Sequence, residues 1–206
     1  MTQRLIALTR TGFEPECAQE LEHELAARGG AGYAQTRRDS GFVELHVHQP
    51  PQRMLSVREL IFVRQLLPVR ASFEALDPKD RVGPILTDVK ASGVMLSDVW
   101  VETADSPDGE QLRAFARSFE SAMATALKRE KRFDARSMHR LHLFAHSGTQ
   151  IDVSIATHAE TAPWKGGIPR LRFPSDAPSR STLKLEEAFL VLLDDDERGR
   201  WLQPGM

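Results

Sequence analysis

Hydroxyls and cations meet at one turn of this chain, Ser179-Arg180-Ser181-Thr182-Leu183-Lys184, which opens a helical pattern running to about Leu193. Three prolines come before it, Pro169, Pro174 and Pro178. Each fixes φ and turns the preceding residue away from helix. Ser179 is a good N-cap. A stiff lead-in therefore delivers a helix whose first turn could stabilise an anion forming beside it. At about 100° per residue, Leu183, Leu185, Phe189, Leu190, Leu192 and Leu193 share one arc. Lys184 points away from that arc, with Arg180 and Ser181 on its side. Glu186 sits toward the apolar side and needs a partner or an exit to water. The plain alternative is a linker followed by an amphipathic helix with a solvated lysine.

Other chemistries find less support. His46 and His48 fall on one face of a strand, as do His142 and His146, yet no zinc spacing accompanies them, so no metal site is expected. No G-x-S-x-G elbow exists for a serine hydrolase. Cys17 is the only cysteine, which excludes an internal disulfide and suits a reducing, cytoplasmic setting. No apolar run approaches the roughly 20 residues of a membrane span. Early arginines interrupt any signal peptide.

The formal net charge is −2, but the charges are segregated. Residues 113 to 140 hold eight Lys or Arg against three acids, and residues 163 to 184 hold five against one. Arg113, Arg117, Lys128, Arg129, Arg132, Lys165, Arg170, Arg172 and Arg180 are thus candidate phosphate contacts. A merely solvated charge run is the alternative. Few aromatics interleave with these cations, so backbone and shape recognition is expected over base stacking, with Trp164 the better stacking candidate.

The elements that must position these groups read as an α+β chain. Leu5 to Thr9 suits a strand, and a helix follows from Pro15 to Ala26. Gly32 to Arg38 and Gly41 to His48 suit a hairpin, Met54 to Leu60 a second helix, and Phe62 to Phe73 a fourth strand with Pro68 at an edge or bulge. That β-α-β-β-α-β order is ferredoxin-like. A second unit follows: a helix over Arg81–Ala91, a strand over Val99–Val101, a turn at Asp105–Gly109, a long helix from Leu112 to Leu127, and strands over Leu141–Ala145 and Ile151–Ile155. Expected bounds are 1–76 and 77–160 for the two units, 161–178 for a proline-rich linker, and 179–206 for the start of a further domain.

The word S-R-S-T-L-K-L-E-E-A-F after G-I-P-R-L-R-F-P-S-D-A-P closely resembles the opening of the catalytic domain in the ribosomal RNA large subunit methyltransferase M family. T-G-F-E-P-E-C-A, S-G-F-V-E-L and L-I-F-V-R-Q extend the resemblance more loosely. It implies an S-adenosylmethionine-dependent enzyme that 2′-O-methylates a cytidine ribose of large-subunit ribosomal RNA. The second unit would be a THUMP-like RNA-binding module, and the last residues the first helix of a truncated Rossmann-like domain. Lys184 matches the first lysine of the family's Lys-Asp-Lys-Glu tetrad, and Ser181 a residue lying against the methyl donor. The family's D-L-G-A-C-P-G-G turn is expected just past Gly205-Met206. The resemblance therefore implies an amino-terminal piece, catalytically silent alone, not expected to bind S-adenosylmethionine, and monomeric. The competing expectations are a free-standing RNA-binding module without catalysis and a protein-interaction scaffold.

Overall fold

Apolar residues at alternate positions build the first sheet of the computed structural model, which describes residues 3–173, 179, 181–193 and 195–202. Leu5 and Ala7 of β1 (Gln3–Leu8) are buried together with Val43, Leu45 and Val47 of β3 (Phe42–Gln49). Onto that face packs α1 (Glu14–Ala27), whose Cys17, Leu21 and Leu25 recur every fourth residue. β2 (Ala31–Thr36) pairs with β3, and β4 (Gln65–Pro68) with β1, all antiparallel, in the order β2-β3-β1-β4. This is the ferredoxin-like arrangement, with β3 inserted between β1 and β2.

Two expectations fail here. The helix over 54–60 is only a 3₁₀ turn, Val57–Glu59. Leu55, Val57 and Leu60 are all buried in the α1 core, and an α-helix would set Leu55 and Val57 about 200° apart, on opposite faces. The single strand over 62–73 is two: β4 ends at Pro68, and β5 (Ala71–Phe73) belongs to the other sheet. Proline at a strand end costs no ladder bond, so the chain changes sheets there.

The second sheet runs β5-β8-β7-β6, with β6 (Asp98–Glu102) parallel to β7 (His139–Ala145) and β8 (Ile151–Thr157) antiparallel to its neighbours. One face carries Val99, Val101, Leu141, Leu143, Ile151 and Val153 and is covered by α2 (Val82–Ser92) and α4 (Arg113–Arg129). The expected turn at 105–109 is instead a short helix, α3 (Pro107–Gln111), because Ser106 caps Gly109 N–H and Pro107 fits the first turn. The two sheets share an apolar layer in which Ile6, Leu8 and Leu67 meet Ala104 and Phe144.

The chain divides into two compact units, 1–167 and 168–206. The second contains α5 (Ser181–Leu192) and α6 (Asp195–Trp201), the latter not anticipated from the sequence. Arg180 and residues 174–178, and with them Pro174 and Pro178, lie outside the described residues.

Candidate nucleic-acid interface

The long helix α4 sorts its residues by spacing. Ala116, Phe119, Met123, Ala126 and Leu127 are buried against the second sheet, each large side chain contributing roughly 1.5–3 kcal/mol. Arg113, Arg117, Lys128 and Arg129 are exposed on the remaining surface. Beyond the helix the chain turns through Lys131, whose φ is 53°, and Leu96 bridges Phe133. Arg132 N–H reaches back to the Leu127 carbonyl, while Leu96 N–H donates to the Arg132 carbonyl. The helix end and this turn therefore fix the backbone that carries Lys128, Arg129, Lys131, Arg132 and Arg136.

Ion pairing separates the free cations from the occupied ones. Among the described residues no carboxylate lies within 4.0 Å of Arg117, Lys128, Lys131, Arg132 or Arg136, and Arg129 has only Glu130 at 3.9 Å. Glu130 is held by Lys90 at 2.6 Å, and that contact keeps its carboxyl below the usual range. Arg113 pairs with Glu110 at 3.1 Å, both exposed. Lys165 is different. Its half-buried ammonium donates to Glu120 Oε2, which also accepts the Val101 N–H. Arg170 and Arg172 are exposed in the second unit.

Lys165 belongs to a segment the sequence presents as linker, but which is fastened into the first unit. Glu102, fully buried at the end of β6, accepts from His142 Nδ1 (2.6 Å), Gly166 N–H (2.7 Å) and Gln65 Nε2 (3.2 Å). Burial pushes this carboxyl up, but His142, Gly166 and Gln65 together outweigh it and hold it below the usual carboxylate range. Gln65 Oε1 accepts Ala162 N–H at 2.9 Å, so one acid and one amide tie β4, β6, β7 and residues 162–167 together. Gly167 has φ +68°, and a Cβ there would stand 1.9 Å from the Arg64 carbonyl oxygen. Trp164 is half-buried within the same segment.

On α5, Ser181 and Lys184 are exposed in the first turn, and Ser179 Oγ accepts the Ser181 N–H at 3.2 Å. Among the described residues no three His, Cys, Asp or Glu side chains converge on a metal-sized site. His142 and His146 are taken by Glu102 and Asp152. No helix among them is long and apolar enough to cross a membrane.

Two family models match the chain: one described as the RlmM ferredoxin-like domain, over residues 1–67, and one as Ribosomal RNA large subunit methyltransferase M, N-terminal, over residues 80–156. A curated ribosomal RNA large subunit methyltransferase M of Stenotrophomonas maltophilia (strain K279a) is 43% identical over 98% of this chain. One of Xanthomonas campestris pv. campestris (strain B100) is 42% identical over the same share. The chain belongs to the ribosomal RNA large subunit methyltransferase M family. The resemblance carried by the S-R-S-T-L-K word is thereby borne out. The chain spans 58% and 59% of the length of those two methyltransferase M relatives. The solved TrmN of Thermus thermophilus aligns at 20% identity over 77% of this chain and 46% of its own, with a TM-score of 0.48.

Sequence reasoning missed Glu102 and Gln65. The alternation Val99, Val101 against Trp100, Glu102 marks the second pair as facing away from the helices, and water is the default reading of such a face. What covers it is remote in sequence.

Proposed function

We propose that this chain is the RNA-gripping part of an S-adenosylmethionine-dependent methyltransferase that 2′-O-methylates a cytidine ribose in large-subunit ribosomal RNA. The observation that supports it best is the set of unpaired cations at the end of α4, in a chain whose relatives are named for ribosomal RNA methylation. The second sheet with α2 and α4 acts as the THUMP-like module, over 77–160 together with the edge strand β5 taken from residues 71–73, beside a ferredoxin-like unit whose last strand ends at Pro68. Arg117, Lys128, Arg129 and Arg132 meet phosphates. Arg113 joins them by giving up its exposed pair with Glu110, and Arg170, Arg172 and Arg180 add phosphate contacts of their own. Lys165 contributes by holding the segment that leaves the module rather than through a free ammonium. The protein works as a cytoplasmic monomer.

Lys184 orients the ribose hydroxyl and stabilises the charge it acquires as its proton leaves, as a fixed cation does. Ser181 lies near the methyl donor. The described residues do not fit S-adenosylmethionine by themselves: around the exposed Ser181 hydroxyl, α5 offers leucines and Lys184, with no glycine cradle and no carboxylate aimed at a ribose. This chain alone is inactive.

Filter binding of ribosomal RNA fragments across a salt series tests the reading. Affinity should fall steeply with salt, and replacing Lys128, Arg129 and Arg132 by Ala should flatten the log–log slope by about 3, near one unit per lost phosphate contact. A slope that is flat, or unchanged in the triple variant, refutes it.

A further inference from the structure

The second sheet covers only half of the outer face of the first. Ile6, Leu8 and Leu67 meet Phe144 and Ala104 there, and Phe42 of β3 joins them, whereas Tyr33 of β2 and His48 of β3 stay exposed. Register sets Tyr33 opposite His46 and His46 opposite Arg4, so these side chains rise on the same side as Ile6. The Tyr33 ring stacks on the His46 imidazole, with centroids 4.8 Å apart and planes 9° from parallel. His48 lies tilted against Tyr33 at 5.3 Å. Tyr33 stays 41% exposed, and His48 is exposed as well. Three rings side by side on an uncovered sheet face serve no core.

The row of rings continues into a cleft. His46 Nε2 is 3.2 Å from Gln35 Oε1, and Gln35 also lines a space of about 350 Å³ between the two sheets. Phe42, Glu44, His146 and Gln150 line it too, giving an aromatic wall and several hydrogen-bonding edges. That volume lies in the range of small-ligand sites, and a nucleoside fits it. At the end of β2, Arg37 and Arg38 have side chains 69% and 95% exposed, with their nearest acids at 3.6 and 3.5 Å. Cations so loosely held are free to exchange those acids for phosphate.

We propose that Tyr33, His46 and His48, with the adjoining cleft, form a stacking site for unpaired RNA bases. Bases lie against the rings, one nucleoside enters the cleft to meet Gln35 and Glu44, and the backbone passes Arg37 and Arg38. Every base has a π-face, so such a site tolerates many sequences, and an open sheet face bearing rings suits single strands. A duplex keeps its bases stacked inside and cannot use it. The proposal rests on the RNA reading above and adds a second surface to it, selective for single-stranded regions where the α4 cluster reads phosphates of either form.

Fluorescence anisotropy with the 206-residue chain tests it, using a labelled single-stranded RNA of about 12 nucleotides, within the usual site sizes, and a duplex of equal length. Tyr33→Ala should weaken single-strand binding by about 5- to 100-fold, the worth of one stacked base, and leave duplex binding within about twofold. The loss should persist at high salt, because stacking releases no counterions. Tyr33→Phe should bind as the wild type does, and Tyr33→Leu as the alanine variant does. That pair keeps the test decisive should alanine disturb the strand. Single-strand affinity indifferent to Tyr33→Leu, with binding otherwise intact, overturns this site alone and leaves the face to a protein partner. Equal losses for single strand and duplex also overturn it. Failure of the wild type to bind either RNA removes the RNA reading as well.

Discussion

Replacing Glu102 by Ala removes the one acceptor shared by three donors, the buried His142 and Gln65 and the half-buried Gly166 N–H. His142 Nδ1, the Gly166 N–H and Gln65 Nε2 all point at its two oxygens, at 2.6, 2.7 and 3.2 Å. Each donor left unsatisfied in the interior costs about 1–3 kcal/mol. Water entering the vacated space recovers part of that, and the desolvation cost of the carboxylate itself disappears. The net loss is expected at about 3–5 kcal/mol, the range for removing one partner of a buried pair. For a unit of this size that lowers Tm by roughly 6–20 °C. Glu102→Gln keeps the shape and one acceptor oxygen, and should lose less. Since burial is outweighed by its three partners, the folded carboxyl titrates below its unfolded value. Its contribution is therefore complete above about pH 4.3, and is lost as pH falls through the lower, folded value. Urea unfolding at pH 7 and pH 3.5, with hydrogen exchange at Gly166, measures this. The gap between wild type and Glu102→Gln should be widest at pH 7 and narrow in acid. A loss under about 1 kcal/mol for Glu102→Ala, or unchanged exchange at Gly166, would refute the reasoning.

Two further outcomes are expected. In the full-length protein, Lys184→Ala should lower kcat for ribose methylation by about 10²- to 10⁴-fold with RNA affinity intact, and near-normal turnover would take Lys184 out of the reaction. Burial, with Glu20 and Glu14 nearby, pushes the Cys17 thiol up to about 12 despite its hydrogen bond with Thr9. Iodoacetamide should therefore label the native chain at pH 8 far more slowly than the chain unfolded in urea. Equal rates would contradict the burial.

Local periodicity made part of this fold legible and left the rest hidden. Leu5, Ala7, Val43, Leu45 and Val47 alternate because one sheet face meets one helix, and α4 shows its stripe because it lies flat on a sheet. Residues 54–60 mislead because Leu55, Val57 and Leu60 reach one core from an irregular path, without the period that would announce it. Trp164-Lys165-Gly166-Gly167 looks like a flexible joint, yet Gly167 is needed for contact with the Arg64 carbonyl rather than for freedom. The partners that fasten this segment, Gln65, Glu102 and Glu120, stand 45 to 97 residues away, beyond any window in which a pattern could show them. The histidines were visible as pairs on strand faces. Only the assembled sheets separate His142 and His146, each spent on an acid, from His46 and His48, which lie against Tyr33.

Acids already committed inside the fold let a chain of net charge −2 carry a cationic surface patch. Many of its acids serve as acceptors for its own backbone and cations. Glu14 receives the N–H groups of Gly12 and Gly41, Glu20 those of Ile61 and Phe62, Glu22 that of Ala34, and Asp80 that of Gly83. Glu102 and Glu120 are committed to the clasp on residues 165 and 166. Each of these carboxylates is fixed where the fold needs it, and most lie on α1 or between the sheets. Lys128, Lys131, Arg132 and Arg136 have no such obligation among the described residues. At physiological salt a charge is felt over about 8 Å, so a phosphate approaching the end of α4 meets that cluster with only Glu130, itself held by Lys90, and Asp134 among it, and little of the acid on α1. Formal net charge sums over the whole chain, whereas a polyanion samples only the patch it touches. Reversing Glu14 or Glu22 would raise the total by two without adding a phosphate contact, while neutralising Lys128 and Arg132 would lower it by the same two and remove two of the proposed contacts.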